Sequence, residues 1–455
     1  MIEEFGTASG DRALNETIAA DLQRAGYLSL PVTLAILLLA FGGLVAAGIP
    51  VLLALSGVLG TFGLAALVSH VVPEGSPTAS VIFMIGMAVG VDYSLFYLRR
   101  EREERAAGRA PLAALRVAAA TSGQAVLVSG TTVMIAMAGM LFTGAKVFTS
   151  IGVGTMLVVL VAMVGSVTVL PAALATLGLR VDRGKPPFIG RGSRMGGEGP
   201  LWGKILTPVL ARPLASAVTA ALLLVLLALP AFRLHTQLLG FTSLPTDTPI
   251  VQTYHTIRSH IAVVFGFVIG LAFLLLLVTF RSIVIPLKAM VLNLLSLGPA
   301  YGVLVAVFQH GWGASLIGAS ATGAITSWLP LFLFVILFGL SMDYHVFILS
   351  RVKELVDQGM PTRAAVQQGI RTTAGTVTSA AIVMVAVFAI FITGHTPDLK
   401  QMGLDLAVAV LLDATVIRGI LLPATMELFG EWNWYLPSWL ERLIGTRPPG
   451  EAARA

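Results

Sequence analysis

Eleven runs of mostly apolar residues, each about 20 residues long, divide this sequence and constrain its fold more than any other feature. As a helix, such a run crosses the hydrocarbon core of a bilayer, which is about 30 Å thick. Hydrophobic residues make up 56% of the 455 residues and charged residues only 11%, which excludes an ordinary soluble globular protein. The sequence therefore predicts an all-α polytopic membrane protein. The helices are expected at roughly 28–48, 51–72, 79–98, 121–142, 147–172, 214–232, 261–280, 285–308, 328–349, 375–393 and 400–422.

Lysine and arginine are unevenly distributed between the loops, and this sets the expected orientation. The connections 99–120, 173–213 and 350–374 are the most basic, and eleven spans place all three on one side of the membrane. Because cytoplasmic loops are enriched in Lys and Arg, that side is assigned to the cytoplasm, with the amino terminus outside. Residues 101–118 are expected to be helical, either as an interfacial helix on the inner leaflet or as a solvated extension of the preceding span.

The residue types present exclude several kinds of site. The chain has no cysteine, so disulfides, thiol catalysis and cysteine metal sites are excluded. Its net charge of +6 comes from basic residues beside apolar segments, which indicates membrane orientation rather than nucleic-acid binding. The sequence shows no nucleotide-binding loop, no metal-ligand cluster and no nucleophile beside a base. We therefore expect neither an enzyme nor a bound cofactor or metal.

The sequence contains an internal repeat at an interval of 250 to 252 residues. Spans one to five are expected to recur as spans seven to eleven in the same orientation, because an even number of spans separates the copies. Phe41 to Pro50 and Phe280 to Pro286 mark the first matching pair of helices, and the sixth span has no counterpart. Parallel repeats are typical of transporters. The other matched segments are Asp92-Tyr93 and Asp343-Tyr344, Thr143-Gly144 and Thr393-Gly394, and Leu170-Pro171-Ala172 and Leu422-Pro423-Ala424.

An Asp-Tyr pair lies inside one strongly apolar span of each copy. An ionised carboxylate in hydrocarbon costs several kcal/mol at least, so Asp92 and Asp343 demand an explanation. If their helices face one another at the pseudo-symmetry axis, the two carboxyl groups share one dry site and titrate as a coupled unit. The hydroxyls of Tyr93 and Tyr344 can donate to a carboxylate or accept from a carboxylic acid. The pattern predicts a proton relay; the alternative is that both acids are structural, bonded to hydroxyls on neighbouring spans.

Four long stretches resemble the mycobacterial membrane protein large (MMPL) family of the resistance-nodulation-division (RND) superfamily. They are GMAVGVDYSLFYLRREREE, FRSIVIPLKAMVLNLLSLGPAYG, FGLSMDYHVFILSRVKE and LAVAVLLDATVIRGILLPATMELFGEWNWYLP. The resemblance implies an RND-type membrane core that uses the proton-motive force to export lipids or other hydrophobic molecules across the bacterial inner (cytoplasmic) membrane. It also implies that Asp92 with Tyr93, and Asp343 with Tyr344, form the proton relay.

The sequence departs from the family pattern, in which large extracytoplasmic porter domains follow the first span and the span that opens the second half. Here the first span is expected to be absent, and about 28 residues separate spans six and seven, far fewer than a folded domain needs. Leu244 to Pro249 resembles the entry to the second porter domain. The expected organisation is a porter-domain remnant (1–27), a first five-helix repeat (28–178), a cytoplasmic linker (179–213), the sixth span (214–232), a shortened extracytoplasmic segment (233–260), a second five-helix repeat (261–430) and a cytoplasmic tail (431–455).

Three further residues are candidates to support the relay. Ser129 and Ser379, in the spans that follow each Asp-Tyr pair, are candidate hydrogen-bond partners of the acids; the alternative is that they are helix-packing serines. His345, beside Tyr344, is a candidate additional member of the relay.

The last span carries more charge than its counterpart in the first copy. Asp413 and Arg418 form a candidate intramembrane ion pair, although a spacing of five residues is off the ideal three or four. The matched positions, Val161 to Ser166, carry no charge. We favour a structural pair over a second proton site. Asp405, in the same span, is expected near the outer surface.

The leading hypothesis is a shortened proton-coupled MMPL exporter whose partners are protons, a lipid or other hydrophobic substrate, and membrane lipids. The alternative is a non-transporting membrane remnant or partner subunit, favoured by the missing porter domains. A protein-translocation component of the same superfamily is a weaker third hypothesis. The oligomeric state stays open, a homo-oligomer included.

Overall fold

The computed structural model describes residues 7–72, 76–182, 200–237 and 249–444. Within these ranges eleven helices are long and apolar enough to cross a membrane, which confirms the predicted number of spans and the all-α fold class. In chain order the spans are Ala20–Phe41, Leu44–Val68, Thr78–Ala106, Pro111–Thr143, Lys146–Leu177, Pro213–Arg233, Ser259–Phe280, Val284–Gln309, Leu329–Asp357, Thr362–Phe391 and Pro397–Trp434.

The described residues form sixteen α-helices, fourteen of which contribute to the spans, together with short 3₁₀ and π segments, and two short strands pair in parallel outside the spans. The α-helices are α1 (Thr7–Phe41), α2 (Leu44–Val68), α3 (Ser76–Ala106), α4 (Pro111–Ala118), α5 (Gln124–Ala138), α6 (Lys146–Val167), α7 (Val169–Leu177), α8 (Pro200–Ala211), α9 (Pro213–Ala228), α10 (Pro249–Phe280), α11 (Val284–Leu304), α12 (Leu329–Asp357), α13 (Thr362–Phe391), α14 (Pro397–Leu412), α15 (Leu422–Phe429) and α16 (Ser438–Ile444). The π segments are Ala119–Gly123, Val305–Gln309 and Asp413–Leu421, the 3₁₀ segments are Gly139–Thr143, Gly178–Asp182, Leu229–Arg233, Ala314–Ile317 and Gly430–Trp434, and the strands are β1 (Thr236–Gln237) and β2 (Ile325–Thr326).

Helices α3 and α12 form the centre of the bundle. In the most apolar stretch of each helix, 100% of the residues of α3 and 94% of those of α12 are buried, against 11% in the sixth span. Helix α3 packs on α2 and α6 of its own half and on α13 of the other half. Helix α12 packs on α11, α13 and α14, and on α5 of the first half. Spans from both halves therefore enclose each central helix and keep its middle away from lipid.

The first two spans meet at a glycine turn, so the predicted boundary between 48 and 51 is wrong. Helix α1 ends at Phe41, and Gly42 adopts a φ of +65°, a left-handed conformation that glycine enters without steric cost. Pro50 lies inside α2, because neighbouring spans allow a membrane helix to continue past a proline. The matching turn in the second half is at Arg281, whose φ is +49°. Pro286, in the first turn of α11, therefore does not match Pro50.

Residues 101–118 do not form one separate interfacial helix. Helix α3 extends to Ala106, so its last residues follow the alternative of a polar extension of the span. Ion pairs between successive turns stabilise this extension, for example from Arg105 to Glu101 at 2.7 Å. Helix α4 begins at Pro111, a favourable first helical residue, and leads directly into the fourth span. The fourth and tenth spans thus begin ten or more residues earlier than predicted.

Several predicted segments fall partly outside the described residues. In the linker 179–213, residues 183–199 lie outside them, whereas Pro200–Ala211 form helix α8. In the segment 233–260, residues 238–248, with most of Leu244 to Pro249, lie outside them, and α10 begins at Pro249. Residues 1–6 and 445–455 also lie outside.

Candidate functional site

The two Asp-Tyr pairs meet between α3 and α12 at the centre of the bundle. Asp92, Tyr93, Asp343 and Tyr344 are each 2% exposed or less. The hydroxyl of Tyr93 donates a hydrogen bond to Asp343 Oδ2 at 3.4 Å, so the tyrosine of one half contacts the acid of the other. The carboxyl groups of Asp92 and Asp343 are close enough to interact electrostatically. The structure therefore brings together all four residues that the sequence singled out.

The second cross-pair is looser than the first. Tyr344 and Asp92 are close enough to interact electrostatically, but the Tyr344 hydroxyl donates to Met384 Sδ at 3.1 Å. Neither carboxylate oxygen of Asp92 has a hydrogen-bond partner within the described chain. In Asp343, Oδ2 accepts the hydrogen bond from Tyr93, whereas Oδ1 has no partner within the described chain. The site thus has unused acceptor capacity, which protonation of a carboxyl group would reduce.

Small residues hold α3 against α2 and so fix the position of Asp92. A Cβ atom on Gly90 would lie 2.9 Å from Ala54 Cβ and 3.0 Å from Ala54 Cα. A Cβ atom on Gly86 would lie 2.5 Å from Val58 Cγ2. The two glycines therefore allow a close helix approach of the kind common in membranes.

The two candidate serines are placed differently. Ser129 is buried beside Tyr93 and Asp343, although its hydroxyl makes no hydrogen bond of ordinary geometry. Ser379 donates to the carbonyl oxygen of Gly375 at 2.9 Å, within its own helix. That bond is the one expected of a packing serine.

His345 faces away from the acid pair. Its Nδ1 lies 3.1 Å from the carbonyl oxygen of Ser341, and its Nε2 has no partner in the described chain. The charged groups close enough to interact with it are Asp413, Arg418 and Lys288. His345 therefore belongs to the polar cluster of Asp413, Arg418 and Lys288.

A π-helix brings Asp413 and Arg418 together. In a π-helix the hydrogen bonds run between residues five apart, so a spacing of five places two side chains on the same face. Within the segment Asp413–Leu421, Arg418 Nη2 donates to Asp413 Oδ2. Ser341 Oγ lies 2.9 Å from Asp413 Oδ2 and 2.7 Å from Asn293 Oδ1. The predicted ion pair is thus present, and a wider helix turn overcomes the unfavourable spacing.

The ion pair also contacts the candidate relay. The guanidinium of Arg418 lies over the ring of Tyr344, 3.8 Å from its centroid, and both side chains are buried. A buried cation over an aromatic face is attracted to it. Arg418 therefore connects the second half's ion pair to the central tyrosine.

An aromatic pair that sequence reasoning missed lies beside the four residues. Phe96 and Phe347 stack with ring centroids 4.3 Å apart, and Phe96 meets Tyr344 edge-on at 5.7 Å. Each phenylalanine stands four residues after the Asp of its repeat, one helix turn towards the basic end of its span. This matched spacing in the two repeats could have identified the aromatic pair from the sequence.

A cavity of about 460 Å³ opens between this aromatic pair and the basic ends of the third and ninth spans, and Phe347 is part of its wall. Its other walls include Thr121, Ser122 and Thr373 from both halves. At its rim Arg100 Nη2 lies 3.6 Å from Glu354 Oε1, an ion pair that joins the two halves. The stacked rings thus separate a polar cavity from the buried acids. Within the described residues no group of three His, Cys, Asp or Glu side chains could hold a metal ion.

Comparison with known proteins identifies the family. The model of the MMPL family matches residues 5–216 and again residues 216–448, so both halves match. The mycolic acid-containing lipids exporter MmpL11 of Mycolicibacterium smegmatis is 31% identical over 553 positions, which cover 97% of this chain and 58% of the relative. The trehalose monomycolate exporter MmpL3 of the same organism is 26% identical and is matched over 94% of this chain and 56% of its own length.

The fold is also found in a solved structure. SecDF of Thermus thermophilus, a translocon-associated membrane protein, superimposes with a TM-score of 0.66 at 14% identity, covering 90% of this chain and 63% of that one. At this identity the likeness shows the fold alone. The chain spans somewhat more than half the length of the two relatives above. With both halves matched by the family model, the chain belongs to the MMPL family of multi-pass proteins of the bacterial inner membrane.

Proposed function

We propose that this chain is the membrane part of a proton-driven MMPL exporter of lipids or related hydrophobic compounds. The observation that carries the proposal is the crossed contact between the halves, in which Tyr93 donates to Asp343 at 3.4 Å while Tyr344 faces Asp92. Relatives named as exporters of mycolic acid-containing lipids and of trehalose monomycolate support the substrate class.

The site has the chemistry of a proton carrier. Two carboxyl groups that interact in a dry interior cannot both stay ionised without a large electrostatic cost, so the pair favours holding a proton. A tyrosine hydroxyl can stabilise either form of the acid beside it. When α3 shifts against α12, the distances from each tyrosine to each acid change, and so does the affinity of the pair for its proton. That coupling links proton transfer to helix movement.

The stacked phenylalanines provide the barrier that such a carrier needs. A continuous file of water from the cavity to Asp343 would let protons pass without any helix movement. Phe96 and Phe347 occupy the level between the cavity and Tyr344, and one ring comes from each half. Relative movement of the halves would separate the rings and open the acids to the cytoplasm.

Substrate handling is the part of the function that this chain supports least. The alignment with MmpL11 covers 553 positions, more than the 455 residues here, so that relative carries additional residues inside the matched region. Only 25 residues separate the sixth and seventh spans. This shortness favours the second candidate, a partner subunit that passes protons but moves no lipid by itself.

Proton flux in proteoliposomes tests the proposal. The full chain is reconstituted with a pH-sensitive dye inside, and an inward proton gradient is imposed with valinomycin and potassium to clamp the potential. We expect Asp92→Asn combined with Asp343→Asn to reduce uptake to the leak rate of protein-free vesicles. The exposed Glu431, which does not line the cavity, offers a control, and Glu431→Gln should leave the flux unchanged.

Two outcomes decide between the candidates. Wild-type flux in the double variant would contradict the proton relay altogether. Transfer of a fluorescent lipid to the outer leaflet, measured in the same vesicles with an impermeant quencher, separates exporter from partner subunit. Gradient-dependent lipid transfer supports the exporter; proton flux without lipid transfer supports the partner subunit.

A further inference from the structure

The outer half of the eleventh span carries a line of polar side chains. Asp398, Gln401 and Asp405 are spaced three and four residues apart on α14, so they share one face of the helix. Asp398 is partly exposed, whereas Gln401 and Asp405 are both 0% exposed. The line therefore runs inward from the outer surface. The expectation that Asp405 lies near that surface is wrong in one respect, because its side chain is enclosed by the bundle.

The first two members of the line are held by the loop before α12. Asp398 Oδ1 accepts a hydrogen bond from Thr326 Oγ1 at 2.7 Å, and Gln401 Oε1 accepts one from Thr326 N at 3.1 Å. Asp405 is different. Neither of its carboxylate oxygens has a hydrogen-bond partner within the described chain, and Gln401 Nε2, one turn outward, also lacks one. A buried, unpartnered carboxyl group is costly unless it is protonated.

The groups around Asp405 provide no counter-ion. From α11, Tyr301 is close enough to interact with it electrostatically, but the Tyr301 hydroxyl donates to the carbonyl oxygen of Pro330 at 2.5 Å. The titratable groups on the other elements packed against α14 lie nearer the cytoplasm: Asp343, Tyr344, His345, Arg351, Lys353, Glu354 and Asp357 on α12, Arg363 and Arg371 on α13, Lys288 on α11, and Asp413 and Arg418 in the π-helix.

Asp405 lies midway between the outer end of the span and the ion pair of the second half. With a rise of 1.5 Å per residue, it is about 12 Å from Pro397 and about 12 Å from Asp413. Ala409 stands one helix turn from each acid. Asp413 contacts Ser341 and Arg418, and Arg418 contacts Tyr344. The line of polar side chains therefore leads from the outer surface towards the candidate relay.

The fold does not require an acid at this position. The matching span of the first half, Lys146–Leu177, contains no Asp or Glu, and Gly154 stands where Asp405 would be at an interval of 251. Two spans of the same architecture thus pack with and without the buried carboxyl group. The free-energy cost of burying the Asp405 carboxyl group is then explained by a role other than packing.

We propose that Asp405 is a third proton-carrying carboxyl group, which loads the central acids from the outer side. The proposal rests on the proposed function, for which it supplies the outer limb of the pathway. A proton from outer water passes the partly exposed Asp398 and forms an O–H bond on the Asp405 carboxylate. That bond breaks when the proton moves on to the ionised member of the Asp92 and Asp343 pair, and Asp405 is ionised again. No other reactant is consumed.

The test separates the outer from the inner side of the membrane. Wild-type chain and Asp405→Asn are reconstituted, and initial proton uptake is measured while the outer pH is varied at fixed inner pH, and then the reverse. We expect Asp405→Asn to slow uptake by about tenfold and to flatten its dependence on outer pH, while the dependence on inner pH is kept. Asp405→Glu should restore the outer dependence, and Glu431→Gln should resemble the wild type.

A spectroscopic measurement makes the test independent of flux. Infrared difference spectra on stepping the outer pH should show a carboxylic C=O band that shifts in Asp405→Glu and is lost in Asp405→Asn. The absence of any such band in the wild type and in Asp405→Glu overturns the proposal, even if Asp405→Asn does not fold.

The flux results also keep the two proposals apart. A wild-type outer pH profile in Asp405→Asn, together with loss of flux in the Asp92 and Asp343 double variant, removes Asp405 and leaves the relay. Unchanged flux in the double variant removes the relay itself.

Discussion

The two halves of the bundle make the same contact between two helices, but the contact is apolar in the first half and polar in the second. In the first half Gly90 of α3 packs on Ala54 of α2, with no space for a further carbon atom. The matched residues of the second half are Ser341, at the repeat interval of 251, and Asn293, at the interval of 239 that relates the turns at Gly42 and Arg281; a 2.7 Å hydrogen bond joins them. Since close apolar packing suffices for this contact in the first half, we infer that the polar groups of the second half serve the proposed proton chemistry.

The fifth and eleventh spans show the same contrast in backbone form. The repeat interval is 251 at Gly152 and Gly403 but 252 at Leu170 and Leu422, so the eleventh span contains one extra residue between these points. The π-helix Asp413–Leu421 accommodates it, because a wider turn uses more residues for the same rise. Such segments are frequent at functional sites. Here the wider turn brings together the two charges that the fifth span lacks.

Removing Arg418 should have the largest effect on stability. Arg418→Ala leaves Asp413 as an unpaired buried acid, which costs about 3–5 kcal/mol. The matched change Ser166→Ala, at an interval of 252, removes a buried hydroxyl that has no partner in the described chain and should cost less than about 1 kcal/mol. Reversible unfolding in mixed micelles measures both free energies. Equal losses in the two variants would show that the ion pair contributes nothing specific.

Replacing both Asp413 and Arg418 also tests whether buried charge accounts for the stability lost in Arg418→Ala. Asp413→Leu combined with Arg418→Met leaves no buried charge, so most of the lost stability should return. A double variant no more stable than Arg418→Ala would mean that packing around the π-helix, and not charge, sets its stability.

Giving the first half the serine of the second half should have an intermediate effect. Gly90→Ser places a Cβ atom 3.0 Å from Ala54 Cα, and because a backbone atom cannot move aside easily, the overpacking should cost about 1–3 kcal/mol. Gly60→Ser in α2 is the matched control, since nothing lies within 4 Å of its Cβ position. Thermal unfolding of the two variants in detergent, followed with a dye, gives the transition temperatures to be compared. Equal transition temperatures would mean that α2 and α3 are less tightly packed than the structure shows.

The turns that follow the first helix of each half should show the smallest effect. Arg281 has a φ of +49°, which costs a residue with a Cβ atom about 1 kcal/mol, whereas the matched Gly42 bears no such cost. Arg281→Gly should therefore stabilise the chain by up to about 1 kcal/mol, and Gly42→Ala should destabilise it by a similar amount. Denaturant titrations in mixed micelles measure both. A loss of stability in Arg281→Gly would show that its side-chain contacts outweigh the backbone strain.

Much of the candidate site follows from local sequence. The hydropathy of each run predicts a span, because crossing hydrocarbon depends on the length and composition of that run alone. The repeat interval predicts that Asp92 and Asp343 occupy matching depths, and the asymmetry at Asp413 and Arg418 is visible without coordinates. The glycine turn at Gly42 was missed, since a proline and a glycine pair both interrupt a helix pattern, and surrounding spans decided between them.

Contacts between distant spans were decided by the tertiary structure alone. Nothing in either Asp-Tyr string states that Tyr93 would bond the acid of the other half, that Phe96 would stack on Phe347, or that Asp405 would be enclosed without a partner. The π-helix that aligns Asp413 with Arg418 depends on how α14 packs against α11 and α12. The sequence by itself determined which residues enter the membrane and at what depth, because those properties belong to single helices. Which side chains meet there depends on helix rotation and helix pitch, and only packing among all eleven spans sets these.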